Sequence, residues 1–288
     1  MSKKICMITG ANSGIGKAAS IQIAARGYHV IMGCRSRARG ETALEDVRAK
    51  SGSDAVDLLI VDMSLQSSVR EAARHIETAY DRLDVLIQNA AVFDITHKQI
   101  AFTEEGVETI WATNHLGPVL LTELLLDRLK ENSQGRVITI ASKGLMAKPF
   151  LRVDLEDPEF RQAGFDVTKA YYQSKLAQIM YTYWLAQRLK GTRVTANCIR
   201  VPIVAIDTNR YPNMPGFLRS LYLLKTRMGL TPEQMAETYT FLSTSDEVSE
   251  VTGCYFDEKN RSVKSRRYTS DPDNIARVMQ LTMRFLDI

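Results

Sequence analysis

The sequence predicts an α/β protein: a doubly wound, mostly parallel sheet between two helical layers, forming a single domain over residues 1–288. Three observations predict it. Short apolar runs alternate with segments of helical periodicity up to about residue 200, and strands separated by helices imply βαβ units and a parallel sheet. The first run, Ile5-Cys6-Met7-Ile8, leads directly into a glycine-rich turn, Thr9-Gly10-Ala11-Asn12-Ser13-Gly14-Ile15-Gly16. With 288 residues, 45% of them hydrophobic and 24% charged, the chain can bury a substantial core.

Strands are expected at Lys4–Thr9, His29–Cys34, Val56–Val61, Leu83–Asn89, Arg136–Ala141 and Arg193–Ile199. Helices are expected between them at Gly14–Arg26, Arg37–Lys50, Leu65–Tyr80, Glu105–Lys130 and Val167–Lys190. Right-handed crossovers place helices on both faces. Ligands then bind at the carboxyl ends of the strands, at the switch point beside the first strand. Beyond Arg200 the pattern is interrupted by Pro202, Pro212, Pro215 and Gly216. Residues 203–250 read as a substrate loop or lid inserted in the domain. Within it, the apolar face of Phe217–Met228 fits either a lid over a hydrophobic substrate or a helix packed on the domain. Thr231-Pro232-Glu233 starts a helix running to Thr244, with Thr as cap and Pro at the first position. Gly253-Cys254-Tyr255-Phe256 reads as a last strand and Asp271–Leu286 as a closing helix.

Composition excludes several classes of function. A net charge of +4 with no basic face interleaved with aromatics argues against a nucleic-acid partner. The basic run Lys259, Arg261, Lys264, Arg266, Arg267 reads as a solvated surface or an anion contact. Cys6, Cys34, Cys198 and Cys254 are far apart without a C-x-x-C, and His29, His75, His97 and His115 lack ligand spacing, so neither a disulfide framework nor a metal is expected. No apolar run approaches the roughly 18 residues of a membrane span. No signal peptide is seen, and the expected compartment is the cytoplasm.

The glycine turn between strand and helix forms a phosphate cradle. Glycines let the backbone approach a pyrophosphate, while free N–H groups and the helix dipole favour its charge. The second strand ends Gly33-Cys34-Arg35-Ser36-Arg37, with Arg39 beyond and no acid before Glu41. In dinucleotide folds an acid here bonds the 2′-hydroxyl of NAD, whereas Arg takes the 2′-phosphate of NADP. Arg35 therefore points to NADP; the alternative is a solvated loop arginine. Asp62, after the third strand, fits either a bond to the adenine amino group or the cap of the next helix, a role open also to Ser64.

Tyr171 and Lys175 lie four apart in a helical run, on one face; Tyr172 is out of that register. A phenol has a reference pKa of about 10, and lowering it by three units takes about 4 kcal/mol. A neighbouring ammonium in a partly desolvated site supplies such a field. Ser142 ends the fifth strand, where its hydroxyl suits a substrate carbonyl oxygen or the capping of backbone groups. Asn114, a poor helix former inside a helical run, fits a buried residue that kinks the helix and holds water, or a surface residue.

Together these residues resemble the short-chain dehydrogenase/reductase family. Carrying the resemblance are Thr9-Gly10-x-x-x-Gly14-Ile15-Gly16, Gln88-Asn89-Ala90-Ala91, Asn114-His115-Leu116-Gly117, Ser142 and Tyr171-x-x-x-Lys175. The similarity is to the branch of retinol-dehydrogenase-like and protochlorophyllide-reductase-like members. It implies a Rossmann-type fold and an oxidoreductase acting on a carbonyl or alcohol; Arg35 selects NADP(H) as its cofactor, the apolar face of Phe217–Met228 suggests a hydrophobic substrate, and family members are commonly homodimers or homotetramers while membrane-associated relatives differ, which leaves assembly open. It further implies Tyr171 as proton donor or acceptor, Lys175 as the group lowering its pKa and holding the nicotinamide ribose, Ser142 orienting the substrate oxygen and Asn114 anchoring a relay water. Gly10, Ser13, Gly14, Ile15, Gly16, Arg35, Asp62, Asn89, Ala90 and Thr208 would line the cofactor. Two departures stand out: Ala91 replaces a family Gly, and the Pro-Gly after the sixth strand is Pro202-Ile203 here, which blurs the register of Thr208. The competing readings are a non-catalytic NADP-binding sensor or scaffold and a sugar-nucleotide epimerase.

Overall fold

A computed structural model describes residues 3–96, 98–131, 134–205 and 229–288. In chain order the elements are β1 (Ile5–Thr9), α1 (Gly14–Ala25), β2 (His29–Cys34), α2 (Arg37–Ser51), β3 (Val56–Ile60), α3 (Gln66–Ala79) and β4 (Val85–Gln88). Next come α4 (Thr109–Trp111), a π-helical turn (Ala112–Leu116), α5 (Gly117–Lys130), β5 (Gly135–Ser142), a 3-10 turn (Lys143–Ala147), α6 (Val167–Arg188) and β6 (Val194–Val201). The chain finishes with α7 (Pro232–Thr244), β7 (Tyr255–Phe256), α8 (Arg267–Ser270) and α9 (Pro272–Leu286).

The sheet runs β3-β2-β1-β4-β5-β6-β7, every described pair parallel. The expected three-layer, doubly wound single domain is what forms. Strands buried on both faces read as continuous apolar runs, and β1 is buried along its whole length. One face packs on α3, α5, α6 and α9 through Leu86, Leu120, Leu125, Leu176, Met180 and Leu281. The other packs on α1, α2 and α7 through Ile8, Ile23, Met32, Val47, Met235 and Tyr239. The order reverses between β1 and β4, so the ends of these strands open the crevice predicted as a binding edge.

Three features differ from expectation. The stretch Glu105–Lys130 is a broken helix. Gly117 N–H donates to the Ala112 carbonyl, five residues back, and Pro118 has no N–H to give the carbonyl of Asn114. The ladder therefore slips into one π-turn, a device that often marks a functional position. Neither Asp62 nor Ser64 caps α3. Asp62 Oδ1 accepts from Ser64 N–H (2.9 Å) and Ser64 Oγ (2.7 Å), closing a local turn, and Glu105 caps the helix by accepting from Gln66 N–H (2.6 Å) and Ser67 N–H (2.9 Å). A carboxylate at a helix N-terminus also meets the positive end of the dipole. Within the segment read as an insertion, α7 begins with the expected Thr231–Gln234 capping box and buries Met235, Ala236, Tyr239 and Leu242 against α1 and the sheet. That part belongs to the core layer. Residues 206–228, including Phe217–Leu224 and Thr208, lie outside the described residues.

Candidate active site

An open cleft of about 340 Å³ lies over the ends of β1, β2 and β4. It is lined by Gly10, Ser13, Gly14, Ile15, Gly16, Arg35, Asp62, Asn89 and Ala90, nine positions assigned to the cofactor from sequence. The glycine turn is built for close approach. Gly10 has φ +66°, a left-handed conformation, and a Cβ on Gly16 would come 2.5 Å from Asn89 Nδ2 and 2.6 Å from Gly10 O. Asn89 ties this turn to β4: its Nδ2 donates to the carbonyls of Thr9 (2.9 Å) and Gly10 (3.2 Å). Its Oδ1 accepts from the fully buried Tyr239 hydroxyl at 3.2 Å. α1 starts here with no acid in its first turn, which leaves its dipole to attract an anion. Gln88, which stands where the family pattern has Asn, is buried and reaches from β4 to α5, donating to Pro118 O (3.0 Å) and Thr122 Oγ1 (2.9 Å).

At the adenosine end Arg35, Ser36 and Arg39 line the cleft opposite Asp62. Arg35 Nε stands 4.0 Å from Asp62 Oδ2, and its side chain is 68% exposed. Two guanidinium groups and one carboxylate leave this end net cationic. A glycine cradle and this charge fit a dinucleotide.

Tyr171 and Lys175 both sit on α6, which Asp166 caps through Thr168 N–H (2.7 Å) and Lys169 N–H (3.0 Å). Lys175 Nζ lies 5.7 Å from the Tyr171 ring centroid and donates to Ile140 O at 3.0 Å. Burial brings the Lys175 ammonium down to about 8. The Tyr171 ring packs on Phe93, with centroids 4.3 Å apart. Phe93, Ile100 and Phe165 join Ile110, Phe160, Val167 and Ala170 in an apolar cluster with Tyr171, apart from the two core layers.

Asn114 projects from the π-turn and is 1% exposed. Its Oδ1 accepts from Val92 N–H (2.7 Å), and its Nδ2 donates to Val92 O (3.0 Å) and Ser174 Oγ (3.2 Å). Both amide hydrogens are thus used, and the side chain clamps the strap that carries Phe93 onto Tyr171. Ser142, at the end of β5, accepts from Gly144 N–H at 3.2 Å and so caps the following 3-10 turn. Tyr172, out of register with Lys175, places its phenol against Gly144, where an added Cβ would overlap the hydroxyl oxygen; burial pushes this phenol up, and Ser142 works against that rise. Helical spacing shows which residues share a face with Lys175. It carries no information on what α6 meets at the end of β5.

Two sets of known proteins resemble this chain. Retinol dehydrogenase 14 of Mus musculus is 38% identical over 267 residues, 89% of this chain and 78% of the relative. Retinol dehydrogenase 13 of Mus musculus is 35% identical over 257 residues, 88% and 75% respectively. Among solved structures, an uncharacterized protein from Mycobacterium paratuberculosis superposes with a TM-score of 0.74 at 26% identity, covering 99% of this chain and 94% of that one. A short chain dehydrogenase from Shigella flexneri 2a complexed with NADP shares the fold, with a TM-score of 0.67 at 21% identity over 90% of this chain and 98% of that one. The sequence profile of the short chain dehydrogenases matches residues 4–152. A glycine cradle at the β1–β4 switch point, a tyrosine–lysine pair on α6 and this breadth of likeness place the chain in the short-chain dehydrogenase family, as an NAD(P)-dependent oxidoreductase.

Proposed function

We propose that the protein is an NADP-dependent oxidoreductase that interconverts a hydrophobic carbonyl compound and its alcohol, working toward reduction in the cell. The observation that carries this reading is the setting of Tyr171, with Phe93 stacked at 4.3 Å and the Lys175 ammonium 5.7 Å from its ring. An acid/base group between an apolar wall and a cation suits an uncharged, lipophilic substrate. The names of the retinol dehydrogenase relatives agree with a long-chain or polyene aldehyde.

Gly10, Ser13, Gly14, Ile15, Gly16, Asn89 and Ala90 would hold the pyrophosphate and nearby ribose, with Arg35 and Arg39 on the 2′-phosphate and Asp62 near the adenine. A nicotinamide held there would supply the hydride that reduces the carbonyl carbon. Tyr171 donates its phenolic proton to the carbonyl oxygen as negative charge develops there. Lys175 stabilises the resulting phenolate through its charge in a desolvated setting. Ser142 donates a hydrogen bond to the same oxygen, lowering the energy of the charged transition state. Asn114 acts on the chemistry indirectly. Its side chain sets the Val92–Phe93 strap, and its carbonyl, denied a helical N–H by Pro118, is the place for a relay water. Four free cysteines, three of them buried, agree with a reducing cytoplasm, and among the described residues no helix is long and apolar enough to cross a membrane.

Steady-state assays with all-trans-retinal and with straight-chain and aromatic aldehydes test this reading. Turnover with NADPH at least tenfold above that with NADH, rising with substrate chain length, is expected. Tight NADPH binding without turnover of any member of the panel would refute it.

A further inference from the structure

We infer that a second cavity, at the opposite end of α6 from Tyr171, binds a long-chain fatty acid by its hydrocarbon tail and its carboxylate. The cavity, of about 870 Å³, lies between the last turns of α6, the turn before β7 and the corner where α8 meets α9. It shares no lining residue with the cleft over β1, β2 and β4. Tyr183, on its wall, follows Lys175 by eight residues of α6, about 12 Å along the helix axis.

Size, wall and charge carry the inference. The volume falls in the range of small-molecule sites, about 300–1,000 Å³. The wall is aromatic and aliphatic: Tyr183, Trp184 and Ile275 are half-buried and Ala186 is buried. The mouth is cationic. Lys190, Lys264 and Arg267 line it, all three are exposed, and no Asp or Glu lines the cavity.

Neighbouring cations already have partners. Arg188 pairs with Glu123 at 2.8 Å, Arg261 pairs with Asp257 at 2.7 Å, and Arg266 donates to the carbonyls of Lys148 and Leu151. Among the described residues Lys190, Lys264 and Arg267 form no ion pair within 4.0 Å. The basic run from Lys259 to Arg267 is thus divided: Arg261 and Arg266 hold the chain in place, and Lys264 and Arg267 are turned to the cavity. An apolar wall below a cationic mouth fits an anion with a long apolar tail. Each methylene laid on the wall leaves water. The carboxylate stays at the exposed mouth, where it meets cations without the cost of full desolvation. A short carboxylate would use the mouth alone, and an uncharged lipid the wall alone.

Calorimetric titration of the full chain, with NADPH in excess, tests the inference, using oleate below its micelle concentration. One oleate per chain is expected, with butyrate and methyl oleate binding at least tenfold more weakly. The double variant Lys264→Ala/Arg267→Ala is expected to weaken oleate roughly tenfold, the scale of two exposed charge contacts. Ala276→Trp, an exposed position on the cavity wall, is expected to abolish binding by filling the space. Both variants should keep the wild-type kcat/KM for aldehyde reduction. Unchanged oleate affinity in both variants would place the fatty acid elsewhere, in the substrate site, and overturns the inference. So does equal affinity for methyl oleate or butyrate, or no uptake by the wild type. A dimer in sedimentation that Ala276→Trp dissociates, without oleate binding, would assign the cavity to a second copy of the chain instead.

Discussion

Arg35→Asp reverses the charge at the point where NADP and NAD differ. In the structure Arg35 faces the cleft with Ser36 and Arg39, its side chain 68% exposed and its Nε 4.0 Å from Asp62. A charge-assisted hydrogen bond to phosphate contributes about 1.5–3 kcal/mol. Solvent exposure argues for the lower part of that range, about 2 kcal/mol. A carboxylate in its place adds repulsion of about 1 kcal/mol after screening, reinforced by Asp62 nearby. The total, about 3 kcal/mol, corresponds to a roughly 150-fold loss of NADPH affinity. NADH has no 2′-phosphate, and its affinity should stay within about threefold, since an aspartate there can accept from the ribose hydroxyl. Quenching of protein fluorescence by each nucleotide measures both constants. Equal losses for NADPH and NADH would refute the placement of the phosphate beside Arg35.

Two pH predictions follow from buried groups. Because burial holds Lys175 near 8, its ammonium is lost as pH rises through that value, and carbonyl reduction should fall above about pH 8; a rate flat to pH 9.5 would exclude the lysine charge from the mechanism. His115 is fully buried, bonded to Thr282 Oγ1 at 2.8 Å, and burial pushes it down to about 3. Between about 3 and the usual 6.5 the unfolded chain binds a proton that the folded one does not, so stability falls as pH drops below 6.5. From pH 7.5 to 5.5 this group removes about 1.4 kcal/mol. Urea unfolding of wild type and His115→Gln should therefore differ in pH dependence by that amount, and identical slopes would contradict the buried neutral imidazole.

The fold was legible because its signals are local. Strand runs such as Ile5–Thr9 are apolar throughout, helices such as α7 announce themselves by Thr231-Pro232, and the glycine turn needs only neighbours in sequence. What was not legible depends on partners far along the chain. The α3 cap is Glu105, about 40 residues away. The purpose of Asn114 appears only with Val92 in place, 22 residues earlier. The break at Ala112–Leu116 falls at Asn114, which the sequence offered as a buried residue that kinks its helix, and Pro118 removes the N–H that would have continued the ladder. Helix geometry excludes Tyr172 from the Lys175 face, but it carries no information on Gly144, which the turn after β5 brings against the Tyr172 phenol.

Tyr171→Phe tests the central claim most directly, since it removes one oxygen and leaves the ring against Phe93. Single-turnover reduction of a lipophilic aldehyde by NADPH should slow by about 10²–10⁴, the usual share of a positioned acid, with NADPH Kd and thermal unfolding unchanged. Reduction at the wild-type rate in that variant would show that the proton comes from elsewhere.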